Sequence, residues 1–150
     1  WYLQAGYTFA DLPWAPQVTY RYTRYSAGWD SLFSGLSSGY GTWFQGEVAS
    51  NYAGPFNSNS KVHHVGLKAT PRDNLTVGTL YFDFDPLDQT RGNLSGRELD
   101  LYLEWMVNDH LLISPLLGFY KPDRGSDQGG LQLGGNSTNT YLQLLVGTFF

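Results

Sequence analysis

Residues 98–107 read ELDLYLEWMV. Every second residue in this stretch is apolar: Leu99, Leu101, Leu103, Trp105 and Val107. The residues between them are Glu98, Asp100, Tyr102, Glu104 and Met106. Side chains of a β-strand point alternately to its two faces, whereas a helix would scatter these leucines around its axis. The segment therefore predicts a β-strand with one apolar face and one largely polar face.

The same alternation recurs along the chain. With the first segment it predicts seven strands, at 1–9, 16–23, 62–70, 76–85, 98–107, 111–121 and 140–150. Most are close to the roughly ten residues of a tilted membrane-spanning strand, whereas soluble strands average about five or six. The pattern favours an all-β fold, an antiparallel up-and-down transmembrane β-barrel formed by residues 1–150 as one segment.

The connections between these strands alternate in length. Short links are predicted at 10–14, 71–74 and 108–110, and long links rich in Gly, Ser and Asn at 26–61, 86–97 and 122–139. One end of the sheet would then have only tight turns. This asymmetry is typical of outer-membrane barrels, whose periplasmic turns are short and whose extracellular loops are long. We expect residues 26–61 to be an extracellular loop that folds over or into the pore.

Composition excludes several classes of protein. Of the 150 residues, 15% are charged and 17% aromatic, cysteine is absent, and the net charge is −4. The aromatic content excludes a disordered chain, and the lack of cysteine excludes disulfides and cysteine-bound zinc. The negative charge, without a basic run, argues against a nucleic-acid partner. No apolar run approaches the roughly 18 residues of a spanning helix.

Aromatic residues are expected near both ends of the strands. Phe9, Trp14, Trp105, Phe149 and Phe150 fall near the short links, and Tyr22, Tyr25, Phe82, Phe84, Phe119 and Tyr120 near the long ones. Two such belts are typical of membrane interfaces. The alternative is a soluble β-sandwich or lipocalin-like barrel in which the aromatic residues form the core.

The final strand and several motifs carry a resemblance to known proteins. An alternating apolar strand ending in Phe150 resembles the C-terminal recognition strand of bacterial outer-membrane proteins, although Thr148 departs from that pattern. The chain also resembles the C-terminal part of the alginate export (alginate porin) family in the motifs AGYTF at 5–9, GTWFQGE at 41–47, NYAGPF at 51–56, LYFDFD at 80–85 and ELDLY at 98–102. This resemblance implies a large barrel that conducts an anionic polysaccharide, with periplasmic export proteins as further partners.

The number of strands bears on how the barrel would close. Single-chain bacterial barrels normally contain an even number of strands, and an open edge in lipid leaves backbone groups unpaired. We therefore expect further strands before Trp1. The alternative is an eighth element within residues 41–52, which we interpret instead as a loop.

The polar sides of the strands supply candidate pore-lining residues: Gln17, Thr19, Arg21, His64, Lys68, Tyr81, Asp83, Asp85, Glu98, Asp100, Tyr102 and Glu104. Arg21 and Lys68 suit the carboxylates of an anionic polymer, and tyrosine rings suit the flat faces of sugars. The acidic members depart from a purely cationic lumen. The alternative is that these charges pair with other strands and only stiffen the wall.

These features predict a channel of the bacterial outer membrane that passes hydrophilic, anionic solutes such as an acidic polysaccharide. The lipid bilayer and an anionic or polar oligosaccharide are the expected partners, and we predict no cofactor, metal or catalytic residue. His63 and His64 fall on opposite faces, so they cannot bind one metal together. A non-conducting barrel that acts in adhesion or as a structural module through its long loops is the alternative function. A soluble enzyme is a third possibility.

Overall fold

The computed structural model describes residues 1–28, 46–53, 58–91 and 95–150. Seven antiparallel strands form one sheet: β1 (Tyr2–Thr8), β2 (Gln17–Tyr25), β3 (Ser60–Arg72), β4 (Leu75–Pro86), β5 (Gly96–Asn108), β6 (Leu111–Pro122) and β7 (Asn139–Thr148). One α-helix, α1 (Glu47–Ala53), precedes β3, and a short 3-10 turn covers Ser126–Gln128. The predicted all-β class, the seven strands and their up-and-down order are confirmed.

The strands pair strictly in chain order, from β1 next to β2 through to β6 next to β7. Within the described residues, β1 and β7 are therefore the two edges of an open sheet. Closure into a barrel, and the further strands expected before Trp1, stay predictions.

Asn side chains stabilise two of the tight connections. In the link from β3 to β4, Asn74 Nδ2 donates to the Met106 carbonyl oxygen on the neighbouring strand at 3.0 Å. In the link from β5 to β6, Asn108 Oδ1 accepts the backbone N–H of His110 at 2.9 Å. The Asn108 contact is the bond to the backbone two residues on that favours Asn in turns, whereas the Asn74 contact ties its turn to β5. Since neighbouring strands are antiparallel, these short links lie at one end of the sheet and the long connections at the other.

The two faces of the sheet differ in what covers them. We call the face that carries α1 the helix face and the opposite one the apolar face. On the apolar face, exposed leucines follow one another along β5 and β7, among them Leu99, Leu101, Leu142 and Leu144. Leu142 is 76% exposed and Leu144 is 64% exposed. Such a continuous apolar surface marks an interaction site or a membrane contact in a folded protein.

A small core lies between α1 and the helix face. Its buried members are Val48, Ala49, Val62, Leu80, Phe82, Phe84 and Tyr120. The rings of Phe82 and Phe84 are nearly parallel, with centroids 5.8 Å apart, and Tyr120 meets Phe84 edge-on at 6.1 Å. The prediction that Phe82, Phe84 and Tyr120 belong to an interfacial belt is therefore wrong, because these side chains are buried in the core beneath α1.

Helix α1 is seven residues long and lies against β5, β6 and β7. The sequence predicts a loop at residues 47–52, where the structure has α1. Residues 29–45 and 54–57 of the predicted loop at 26–61 lie outside the described residues. Among the described residues, no helix has the length and apolar character needed to cross a membrane.

Candidate functional site

The strand register brings distant residues into rows across the helix face. Arg21 on β2 lies opposite His64 on β3, and His64 lies opposite Phe82 on β4. Two rows further towards the short turns, Gln17 lies opposite Lys68. Because side chains alternate along a strand, residues two positions apart share a face. The register therefore assigns each candidate residue to one face without ambiguity.

A cavity of about 250 Å³ opens on this face between β1 and β5. Six of the predicted residues line it: Gln17, Thr19, Arg21, His64, Lys68 and Tyr102. Gln4 on β1 also lines the cavity, and the sequence reasoning did not single it out. Gln4 alternates with Leu3 and Ala5 in the sequence, and this position on the polar side of β1 could have identified it as a candidate. We call these seven residues the basic cavity.

The charge of the basic cavity is positive. Arg21 is 5% exposed, so its guanidinium is held within the wall, whereas Lys68 is open to solvent. Among the described residues that line the cavity, none is acidic. A guanidinium presents its donors in a planar fork that matches a carboxylate, and an ammonium adds a mobile point charge. The cavity therefore provides a favourable place for an anion.

Aromatic rings shape two walls of the cavity. The His64 ring stacks on Phe82 with centroids 4.5 Å apart, which ties its position to the core under α1. The Tyr102 ring lies across Gly78 of β4, and a Cβ atom at Gly78 would come within 2.5 Å of Tyr102 Cζ. A side chain at position 78 would push the ring away. Gly78 is thus required for Tyr102 to reach the cavity.

Glu98 and Asp100 lie on the same face but outside the basic cavity, beneath α1. They are 1% and 0% exposed. Glu98 Oε1 accepts the backbone N–H of Val48 at 2.9 Å, and Oε2 accepts that of Ala49 at 2.6 Å. These N–H groups belong to the first turn of α1, where helices lack internal acceptors. Glu98 therefore anchors the helix to the sheet rather than facing an open path.

Glu104 lies further along β5 on the helix face, opposite Thr76 of β4 and towards the short turns. It is half-buried and is not part of the basic cavity. Within the described residues, no group of three or more His, Asp or Glu side chains is arranged to hold a metal ion.

The structure places Tyr81, Asp83 and Asp85 on the apolar face, and their assignment to the same face as the other candidates is wrong. Asp85 forms an ion pair with Lys61 at 3.3 Å, and Asp83 forms one with Arg97 at 3.7 Å. The reason is that β4 reverses the pattern of its neighbours. Its apolar residues Leu80, Phe82 and Phe84 face the helix, so its polar residues face the other way.

The two adjacent histidines are separated by the sheet. Tyr20 Oη and His63 Nδ1 are 2.8 Å apart on the apolar face, whereas His64 is buried on the helix face. Their geometry provides no shared site, as the alternation predicted.

Comparison with known proteins adds no assignment. No protein-family model, no curated protein and no solved structure matches this chain. The resemblance to the alginate export family stays a prediction.

Proposed function

We propose that this protein is a channel of the bacterial outer membrane that passes hydrophilic, anionic solutes such as an acidic polysaccharide of the alginate type. The apolar face would meet lipid, and the helix face would line the path. The observation that carries the proposal is the basic cavity, in which Arg21 and Lys68 lie on the face opposite the exposed leucines. A sheet with one apolar and one polar, charged face fits the wall of a membrane barrel.

The chemistry of the cavity suits a uronate-containing chain. Arg21 and Lys68 would bind successive carboxylates, and the Tyr102 ring would offer an amphipathic surface to a sugar ring. Gln4, Gln17 and Thr19 would exchange hydrogen bonds with hydroxyl groups. Transport would be passive, because a row of weak polar sites allows a solute both to enter and to leave. Periplasmic export proteins are the proposed partners on the side of the short turns.

A second candidate function has its own supporting observation. Helix α1 and the core beneath it occupy the helix face over β5 and β6, which narrows any path along that part of the sheet. A non-conducting barrel that acts in adhesion or as a structural module through its long loops would tolerate an interior occupied by α1 and its core. Conductance distinguishes the two proposals.

Lys68→Glu in the full-length protein tests the channel proposal in planar bilayers under a salt gradient. We expect the wild type to conduct with anion preference and K68E to shift the reversal potential towards cation preference. Arg72→Glu is the matched control, because it makes the same charge change on the same strand, at the turn outside the cavity. An absence of conductance in the wild type would favour the non-conducting barrel. Equal shifts for K68E and R72E would show that the basic cavity does not set selectivity.

A further inference from the structure

The apolar face ends, towards the long connections, in two adjacent rows that contain charged side chains. The register aligns Arg24 of β2 with Lys61 of β3, and Lys61 with Asp85 of β4. One row closer to the middle of the sheet, Asp83 aligns with Arg97, and Arg97 with Lys121. We call these six residues the charged band. It crosses five adjacent strands, from β2 to β6.

Ion pairs hold part of the charged band in place. Lys61 and Arg97 pair with Asp85 and Asp83 across neighbouring strands. The Arg97 side chain nevertheless stays 69% exposed, so most of its guanidinium donors face outwards. Lys121 Nζ donates to the Asn136 carbonyl oxygen in the connection before β7, which keeps its ammonium at the level of that connection. The pairs therefore orient the basic groups along the sheet and leave them accessible.

The charged band carries positive charge in a chain that is acidic overall. It contains four basic and two acidic side chains, although the whole chain has a net charge of −4. Four of the nine Lys and Arg residues thus lie in one strip of one face. A strip with excess positive charge attracts anionic groups, and it does so most strongly where the surroundings exclude water.

The surface next to the charged band is aromatic and then apolar. Tyr22 and His63 lie in the same row as Asp83 and Arg97, with ring centroids 4.9 Å apart, and Tyr20 meets His63 from the next row towards the short turns. Leu99 and Leu101 continue this face towards the short turns. Basic groups lie in the two outer rows, tyrosines in the second and third rows, and leucines from the third row onwards. This follows the order of headgroup, interface and hydrocarbon in a lipid leaflet. This order of side-chain types favours a lipid over a protein as the molecule that contacts this part of the apolar face.

We infer that the charged band binds the phosphate groups of a phosphorylated lipid in the leaflet next to the long connections. The inference rests on the proposed membrane location and adds a specific lipid class to it. Arg97 would bind a phosphate through two parallel N–H donors, with Lys121 and Lys61 contributing point charges on either side. Arg24 would contact the next headgroup at the β2 side of the charged band.

Binding of lipid A to the full-length protein in detergent micelles tests this inference. Native mass spectrometry or calorimetry would compare lipid A with lipid A stripped of its phosphates, and with inorganic phosphate alone. We expect Arg97→Gln and Lys121→Gln each to weaken binding of lipid A about tenfold, as expected for the loss of a charge-assisted hydrogen bond. Arg72→Gln, which removes the same charge at the short turns, should leave the affinity unchanged.

The outcomes separate this inference from the proposed function. A wild-type protein that conducts in bilayers, but binds stripped lipid A as tightly as lipid A, would overturn the inference alone. So would equal affinities for R97Q and R72Q, or full competition by millimolar inorganic phosphate. Conversion of an oligomer to a monomer by R97Q, with the affinity for lipid A unchanged, would assign the charged band to contact between copies. A protein that remains in the aqueous phase without detergent would overturn both proposals.

Discussion

The carboxyl group of Glu98 in strand β5 lies 2.6 Å from the backbone nitrogen of Ala49 in α1. With the bond from the Val48 N–H, this contact joins two segments about 50 residues apart in the chain and ties the start of α1 to the sheet. It also gives the buried oxygen atoms of Glu98 hydrogen-bond donors, which buried polar groups require. Glu98 therefore contributes to holding α1 over the helix face.

Replacing Glu98 with Gln should loosen α1. The amide presents N–H donors towards a helix end that needs acceptors, so one backbone N–H would lose its partner. We expect the free energy of unfolding in detergent micelles to fall by about 1–3 kcal/mol, as for an unsatisfied buried group. Glu104→Gln is the control, because Glu104 lies on the same strand and face but is only half-buried. Equal losses in both variants would contradict an anchoring role for Glu98.

Gly118→Ala should displace α1 by steric contact. A Cβ atom at Gly118 would lie 2.4 Å from Val48 Cγ2 and 2.5 Å from Asp100 Oδ1. Overpacking of this kind costs about 1–3 kcal/mol of stability. Gly147→Ala is the matched control on the next strand, where the nearest atom lies 3.6 Å away. Urea unfolding followed by tryptophan fluorescence measures both variants, and an unchanged midpoint for G118A would contradict the close packing of α1.

Cysteine labelling should separate the two faces, because the chain contains no cysteine of its own. In lipid vesicles, we expect a water-soluble maleimide to react with Tyr102→Cys and to leave Leu101→Cys unreacted. These neighbouring residues in β5 point to opposite faces. Tyr81→Cys should behave like L101C, since Tyr81 lies opposite Leu99 on the apolar face. Labelling of Y81C as fast as that of Y102C would show that the apolar face is open to water.

Asp88, in the connection between β4 and β5, should titrate below the ordinary pKa of an aspartate. The Thr90 hydroxyl donates to Asp88 Oδ1 at 2.6 Å and the Thr90 N–H at 2.9 Å, which holds the pKa of this carboxyl below its ordinary value of 3.8. Hydrogen bonds to the ionised form favour that form. The contribution to loop stability is therefore present at neutral pH and is lost as the pH falls through the lowered pKa.

An NMR titration of the Thr90 amide measures this shift in micelles. We expect a midpoint below 3.8 in the wild type and a higher one in Thr90→Ala, which keeps the backbone donor but removes the hydroxyl. A wild-type midpoint at or above the ordinary value would contradict the Thr90 contacts.

Much of the sheet was predictable from the alternation of residue types. In β5, Leu99 and Leu101 identified one face and Glu98 and Asp100 the other, because a strand repeats every two residues. The short links predicted at 71–74 and 108–110 also coincide with tight connections of the structure. The basic cavity was partly predictable as well, since Arg21 and Lys68 stood on the polar side of their strands.

Strand β4 shows where this reasoning failed. Alternation alone separates Phe82 and Phe84 from Asp83 and Asp85, but it does not say which set faces which side of the sheet. The neighbouring strands suggested that apolar residues face outwards. In β4 the apolar residues lie on the helix face instead, where they pack against Val48 and Ala49 of α1.

The sequence by itself therefore determined the period of the strands, their number, the positions of the turns and the presence of two chemically distinct faces. These are local properties, which follow from side-chain alternation and turn chemistry. Only the tertiary structure decided that Glu98 anchors a helix, that β4 presents its phenylalanines to that helix and that Arg24, Lys61, Arg97 and Lys121 form one band. Each of these depends on contacts between residues far apart in the chain, and the pattern within a single strand contains no information about its partners.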